Sequence, residues 1–390
     1  MPGFTSNDAI IAALSNGQTY KASWGKNFNP TLAAVAGEWH TLFRGGGNPQ
    51  ADNIFDVGSN LTFQSVKDNT TDAGCIQHSG NVQPAYNKYL INGSAVTAAT
   101  TTVPGTLTLV DVVGFYRKTS VTNTTDETTT NTLSQNDTFT ANAGTDTCTY
   151  TSTNSIPSNL LTGTRVRLTT TTTLPGNLSL ATDYYLIKVS DTSFKLAGTY
   201  ADAAAGNAID ISSAGAGTHT LNWLLPRYTN GAGLQTIIFN PSAVSLGAGV
   251  PNLSLGYTNA KGQAGRYTPT VLPIGKTATK NSHILYTGAT GVGKYNYTMP
   301  LQGGDSGIAE INSIKNSTSY VSGDYTVAMI NELGRFPLST TGLSAERNFL
   351  FELPSLPRIY DGAALYWLWG SGLATPANSA FSGDLTFIWG

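Results

Sequence analysis

A chain of 390 residues has room for roughly two or three domains, each able to bury a core of its own. Only 11% of the residues carry charge, the formal net charge is −2 and there is no lysine or arginine run, which excludes a surface built to neutralise nucleic-acid phosphates. Apolar residues reach 40%, enough to fold, yet no stretch approaches the roughly 18 consecutive apolar residues of a spanning helix, and the N-terminus lacks a charged-then-apolar export pattern. No membrane contact is expected, and synthesis in a cytoplasm is.

In chain order, the first predicted element is a short helix. Ser6, Asn7 or Asp8 can cap it, Ala9–Leu14 supplies apolar residues and Gly17 stops it. About two or three turns cannot persist alone, so its apolar side must dock on its own domain or on a neighbouring subunit. Strand-like segments follow, among them Leu61–Val66 and Leu107–Tyr116. Thr119–Asp137 is a low-complexity Thr/Asn stretch, read as an exposed connection. Residues 138–221 then form a self-contained run of short strands. Beyond it lie Gln235–Phe239, Asn252–Tyr257 and Tyr325–Ile330. Several of these segments alternate polar and apolar residues, and turn signals recur about every eight to twelve residues, the pattern of an all-β sandwich.

A second helix is predicted over Ala345–Leu353, with Ser344 as cap and Pro354 as stop. Two aromatic strands close the chain, within Ile359–Gly370 and Leu385–Trp389, joined by a small-residue loop from Ser371 to Ser382. Cys75 and Cys148 lie in different segments and are expected to be free thiols packed as small apolar groups.

Chemistry-bearing patterns are weak. Gly304-Asp305-Ser306-Gly307 has the nucleophile neighbourhood of a serine protease, but Ile308 follows where another glycine belongs. His40, His78, His219 and His283 lie upstream of it without the matching context, so a turn between strands is expected. Gly288–Lys294 has the glycine and lysine spacing of a phosphate-binding loop, but Tyr295 replaces the magnesium-binding Ser or Thr and an alternating strand follows instead of a helix. A hairpin loop is the expectation there. Four scattered histidines and two distant cysteines have no zinc spacing. No catalytic residue, metal or cofactor is expected.

Within the 138–221 run, Gly163-Thr164-Arg165-Val166-Arg167-Leu168, Leu174-Pro175, Asp183-Tyr184-Tyr185-Leu186-Ile187 and Phe194-Lys195-Leu196-Ala197 follow one another, ending in Gly215–Leu221. This order resembles a β-module that recurs in virion proteins of tailed bacteriophages. Leu225–Thr229, Leu353–Gly362 and the tail Phe387–Gly390 are similar to a family of phage structural proteins. The resemblance implies a non-enzymatic virion component made in the bacterial host cytoplasm. A capsid decoration or cement protein is the leading expectation. Its partners would be the major capsid protein and further copies of itself. A tail or baseplate protein with a receptor-binding role is the alternative, with host-surface contact through the inserted module.

The expected fold is therefore all-β: a β-sandwich or jelly-roll-like main domain from residues 1–137 and 222–390, a solvent-projecting small β-domain over 138–221, and a short N-terminal helix. The expected intermolecular contacts are Ile10, Ile11 and Leu14 on the helix and Tyr366, Trp367, Trp369 and Trp389 in the last strands, since aromatic side chains are enriched in interface cores. The plainer reading of the four aromatic residues is that they fill the sandwich core.

Overall fold

Antiparallel pairing organises the protein, seen here in a computed structural model. It describes all residues other than 1–3, 5, 29–32, 35, 53, 57–60, 62, 69–73, 81, 83–84, 99–102, 120–125, 130–137, 152–161, 191, 224, 229, 242–251, 269–271, 274–283, 285–296, 320–321 and 353–354. Among the described residues the chain is all-β, with three sheets, a closed barrel and three short helices.

The first sheet runs in the order Ala345–Asn348, Lys88–Thr97, Ala380–Trp389, Thr19–Asn27, Gly47–Asn48, with Arg358–Ile359 also paired to Lys88–Thr97. The second runs Gln235–Phe239, Tyr325–Leu338, Gly105–Lys118, Leu365–Ser371, Trp39–Thr41, with Phe63–Ser65 also on Gly105–Lys118. The first and last long strands of the chain lie side by side, Thr19 opposite Ile388 and Asn27 opposite Ala380.

The two sheets face each other, and the reason is legible in Leu365–Ser371. Successive strand side chains point to opposite faces. Leu365, Trp367 and Trp369 turn toward the first sheet and bury against Trp24, Phe381, Leu385 and Phe387. The Trp24 and Trp367 rings lie 4.5 Å apart, and those of Trp369 and Phe381 4.7 Å apart. Tyr366 and Leu368 point the other way, into a layer formed by Phe43, Phe55, Val66 and Cys75. The second sheet is thus buried on both faces, which is why Leu107–Tyr116 reads as a nearly continuous apolar run. Trp369 lies so close over the neighbouring strand that a Cβ on Gly105 would sit 2.0 Å from its ring. Only a glycine fits there.

Barrel strands Thr138–Asn142, Thr147–Tyr150, Arg165–Thr170, Asp183–Lys188, Ser193–Ala197 and His219–Trp223 close on one another. Closure removes the open edges that a short isolated sheet would leave. The last strand continues to Trp223 because it pairs with Val166–Thr170 throughout. Phe139, Cys148, Val166, Leu186 and Phe194 fill the interior, in one apolar cluster with Leu225, Leu234, Leu253 and Ile308 of the body. Lys67 donates to the Thr162 carbonyl at 3.0 Å and Arg165 to the Leu225 carbonyl at 3.4 Å. The barrel is therefore packed onto the body as well as tethered to it.

A third sheet holds Arg266–Tyr267, Asn252–Asn259, Ile308–Asn316 and Glu127–Thr128, with Leu272–Pro273 paired to Asn252–Asn259. Glu127–Thr128 falls inside the Thr/Asn-rich connection, most of which lies outside the described residues. Cys75 and Cys148 are both buried and unbridged.

The expected second helix is a correction. Ala345–Asn348 is an edge strand, Ala345 opposite Ala95 and Asn348 opposite Asn92, and only Phe349–Glu352 coils, for a single turn. Pairing with the Lys88–Thr97 edge overrides the local helical pattern, and the strand's burial alternates as an edge strand's does. Residues 353 and 354 lie outside the described residues.

Candidate functional site

The N-terminal helix, Asn7–Ser15, is capped as its sequence predicts. Ser6 Oγ accepts from the Ala9 N–H at 3.2 Å, Asp8 stands in the first turn, and Gly17, at φ +71°, ends it. Ile10 and Ala13 are buried against Ile91 and Ile388 on the outer face of the first sheet. The helix docks on its own domain, which removes Ile10 from any external surface. Ile11 and Leu14 point outward instead, 59% and 43% exposed. On the same face, the turn Phe349–Glu352 packs Leu350 against the helix cluster and leaves Phe351 80% exposed. Two short elements packed on the first sheet thus leave three large apolar side chains in water.

The remaining expected contact residues separate. Tyr366, Trp367 and Trp369 are 4%, 2% and 0% exposed, filling the two layers around the second sheet. They cannot touch a partner without unfolding, which corrects their assignment as contacts and leaves them as core. Trp389 is partly buried at the end of the last strand, its backbone N–H donating to the Gln18 carbonyl at 3.1 Å. Phe351 was missed by sequence reading because it sat inside the predicted second helix, where nothing distinguished it from a core residue.

A second surface feature is a cleft of about 760 Å³ lined by Trp39, Pro104, Arg335, Pro337, Arg347 and Ser371. Arg335 forms a fork with Glu332, Nε to Oε1 at 2.7 Å and Nη2 to Oε2 at 2.8 Å, and lies over the Tyr297 ring at 5.5 Å. Glu332 first, then the Tyr297 oxygen, holds the Arg335 pKa above its ordinary value. Arg347 donates to the Arg335 carbonyl at 2.9 Å and pairs with Glu352. The cleft offers guanidinium donors beside an apolar floor, a combination suited to a polar ring such as a sugar.

The Gly304–Gly307 segment is a turn. Asp305 accepts from Tyr257 Oη at 2.6 Å, Asn259 Nδ2 at 2.7 Å, and Arg266 Nε and Nη2 at 3.0 and 3.1 Å. The Arg266 guanidinium and then the Tyr257 hydroxyl hold its carboxyl down to about 2. The carboxylate pins the turn to strand Asn252–Asn259. Gly288–Lys294 and His283 lie outside the described residues.

The main buried charges lie elsewhere. Asp111 stands in the middle of the central strand, fully buried, and forks with Arg227, Nε to Oδ2 at 2.7 Å and Nη2 to Oδ1 at 2.5 Å. Arg227 also donates to the Val66 and Val112 carbonyls at 2.8 and 2.7 Å, and Asp111 accepts from Tyr228 and the Ala364 N–H. Nearby, Lys88 meets His78 Nδ1 at 3.0 Å and Asp361 at 3.9 Å. Burial, and next the Lys88 charge, pushes His78 down to about 3. Arg227 and Asp361 both act here as structural charges.

Lys67 belongs to this region, and burial followed by the Arg227 charge lowers it to about 7 from the ordinary 10.5. Between those two values the unfolded chain holds a proton that the folded chain lacks, so stability contributed by this group rises with pH across that window. We expect Lys67→Met to flatten that rise in urea titrations between about pH 7 and 10, with wild type and variant converging toward the upper end. Parallel curves over the whole range would remove Lys67 as the cause.

Among the described residues, no cluster of His, Cys, Asp and Glu has the arrangement of a metal site, and no helix is long and apolar enough to cross a membrane. The fold and its surfaces define a two-sheet β-sandwich with an inserted barrel and an outward apolar face. No protein-family model and no curated protein matches the chain. A solved structure titled as the D431N mutant VP2 protein of infectious bursal disease virus in derived T=1 particles aligns with 95% of this chain and 78% of that one. The identity is 9% and the TM-score 0.13, values at which the likeness carries no argument.

Proposed function

We propose that this chain is a non-enzymatic structural protein of a tailed-phage particle, a decoration or cement subunit that binds the outside of the shell and bridges neighbouring coat subunits. The observation that carries this reading is the outward face of the docked helix, where Ile11 and Leu14 stand exposed while Ile10 and Ala13 hold the helix to the first sheet. A bridging subunit needs preorganised apolar contact area more than it needs chemistry. The resemblance of residues 138–221 to a phage virion module supports the same assignment.

Quantifying this chain against the coat protein in purified particles tests it. A copy number comparable to the coat protein is expected, and absence from particles would overturn the proposal. The contact face has its own test. The double variant Ile11→Glu, Leu14→Glu should weaken attachment to shells roughly tenfold or more while leaving the melting temperature nearly unchanged, because both side chains are already in water. Equal attachment would move the contact elsewhere on the surface.

The second reading, a tail or baseplate protein that binds a host receptor, is favoured by the cleft between Trp39, Arg335 and Arg347. A copy number far below that of the coat protein, together with binding to intact host cells that Arg347→Ala abolishes, is the outcome that selects it.

A further inference from the structure

Three reactive side chains are linked, pair by pair, where strands of the second and third sheets come together. Lys118 ends the central strand, is fully buried, and its ammonium contacts the Glu127 carboxylate on the short edge strand. That edge strand pairs with Ile308–Asn316, Glu127 opposite Ile314. Asn316, at the end of the same strand, is fully buried, and its side-chain carbonyl Oδ1 accepts a hydrogen bond from the Tyr325 hydroxyl at 2.8 Å. Tyr325 is itself fully buried and is the strand partner of Lys118 across the second sheet. A primary amine in contact with a carboxylate thus lies one strand neighbour away from a carboxamide that is already polarised by a hydroxyl donor.

We propose that this is a self-modification site, in which Lys118 Nζ forms an intramolecular amide bond with Asn316 Cγ and releases ammonia. The contact with Glu127 lets the ammonium proton pass to the carboxylate, leaving a neutral amine beside a neutral acid. Nζ adds to Cγ, and the charge that develops on Oδ1 is met by the Tyr325 hydroxyl. Glu127 gives its proton to Nδ2 and takes one from Nζ. The Cγ–Nδ2 bond then breaks and ammonia leaves. One N–C bond forms as one breaks, and no oxidant or cofactor takes part. Burial holds Lys118 down to about 8, which brings the neutral amine within reach near neutral pH. Exclusion of water also protects the tetrahedral intermediate from hydrolysis.

The bond would join the second sheet to the third and close a covalent loop from residue 118 to residue 316. The whole inserted barrel lies within that loop. It stands independently of the particle role proposed above, since it follows from the chain's own packing.

The test is the intact mass of the full-length protein, denatured, after incubation in the folded state at pH 8. A mass lower than the sequence by one ammonia is expected, with a branched tryptic peptide joining Lys118 to Asn316. Glu127→Gln and Asn316→Ala should restore the full mass, with circular dichroism showing that each variant is folded. A full mass for folded wild type after prolonged incubation overturns the proposal without recourse to any variant. A mass lower by one water, with Lys118 joined to Glu127, overturns it as well, because the acceptor would then be the wrong residue.

Discussion

Asp111→Ala is expected to cost about 3–5 kcal/mol of stability, read from the urea midpoint at constant slope. The magnitude follows from what is left behind. Arg227 is 4% exposed and would keep a buried charge on two carbonyls without the carboxylate that forks it, while Tyr228 and the Ala364 N–H would each lose an acceptor. Breaking such a pair from one side is far costlier than its net worth when intact, because the orphaned guanidinium cannot be rehydrated. Arg227→Ala should cost a similar amount, and the double variant less than the sum, since each single change already removes the shared fork. Additive losses would mean that the two residues act independently. A loss below about 1 kcal/mol for Asp111→Ala would mean that water reaches the pair.

Trp369→Ala is the second large effect, at about 3–5 kcal/mol. The ring is fully buried, its Nε1 donates to Thr375 Oγ1 at 2.8 Å, and its faces meet Phe381 and the bare backbone of Gly105. Collapse around the cavity is limited because both strands flanking it are central in their sheets. This variant separates two roles for an aromatic residue. A contact residue would lower attachment to a partner and leave the melting temperature alone. A core residue lowers the melting temperature, and that is the expectation for Trp369, opposite to the one for Ile11 and Leu14.

The contrast between these residues shows how far a sequence carries an argument. Gln235–Phe239 was readable to the residue, because a short apolar β-branched run and its flanking turn residues act within a few positions of one another. The N-terminal helix was equally local, from the Ser6 cap to Gly17. The Ala345–Leu353 helix failed because an edge of the Lys88–Thr97 strand, some 250 residues away in sequence, offered hydrogen bonds that local propensity cannot foresee. The sequence does carry a signal for the buried charges. Asp111 interrupts the apolar run Leu107–Tyr116, and a charge inside a strand buried on both faces requires a counter-ion. Nothing local says that the counter-ion is Arg227.

By itself, then, the sequence determined the all-β class, the short capped helix and the place of several strands, since these depend on periodicity, capping and turn chemistry over a few residues. The tertiary structure alone decided which of the helix's apolar residues face water, that Trp367 and Trp369 are core, that the first and last strands lie side by side, and that Lys118, Glu127, Asn316 and Tyr325 are linked pair by pair. Alternation says that a side chain points to one face or the other. What covers that face is set by strand register and sheet order, which join residues hundreds of positions apart and leave no local trace.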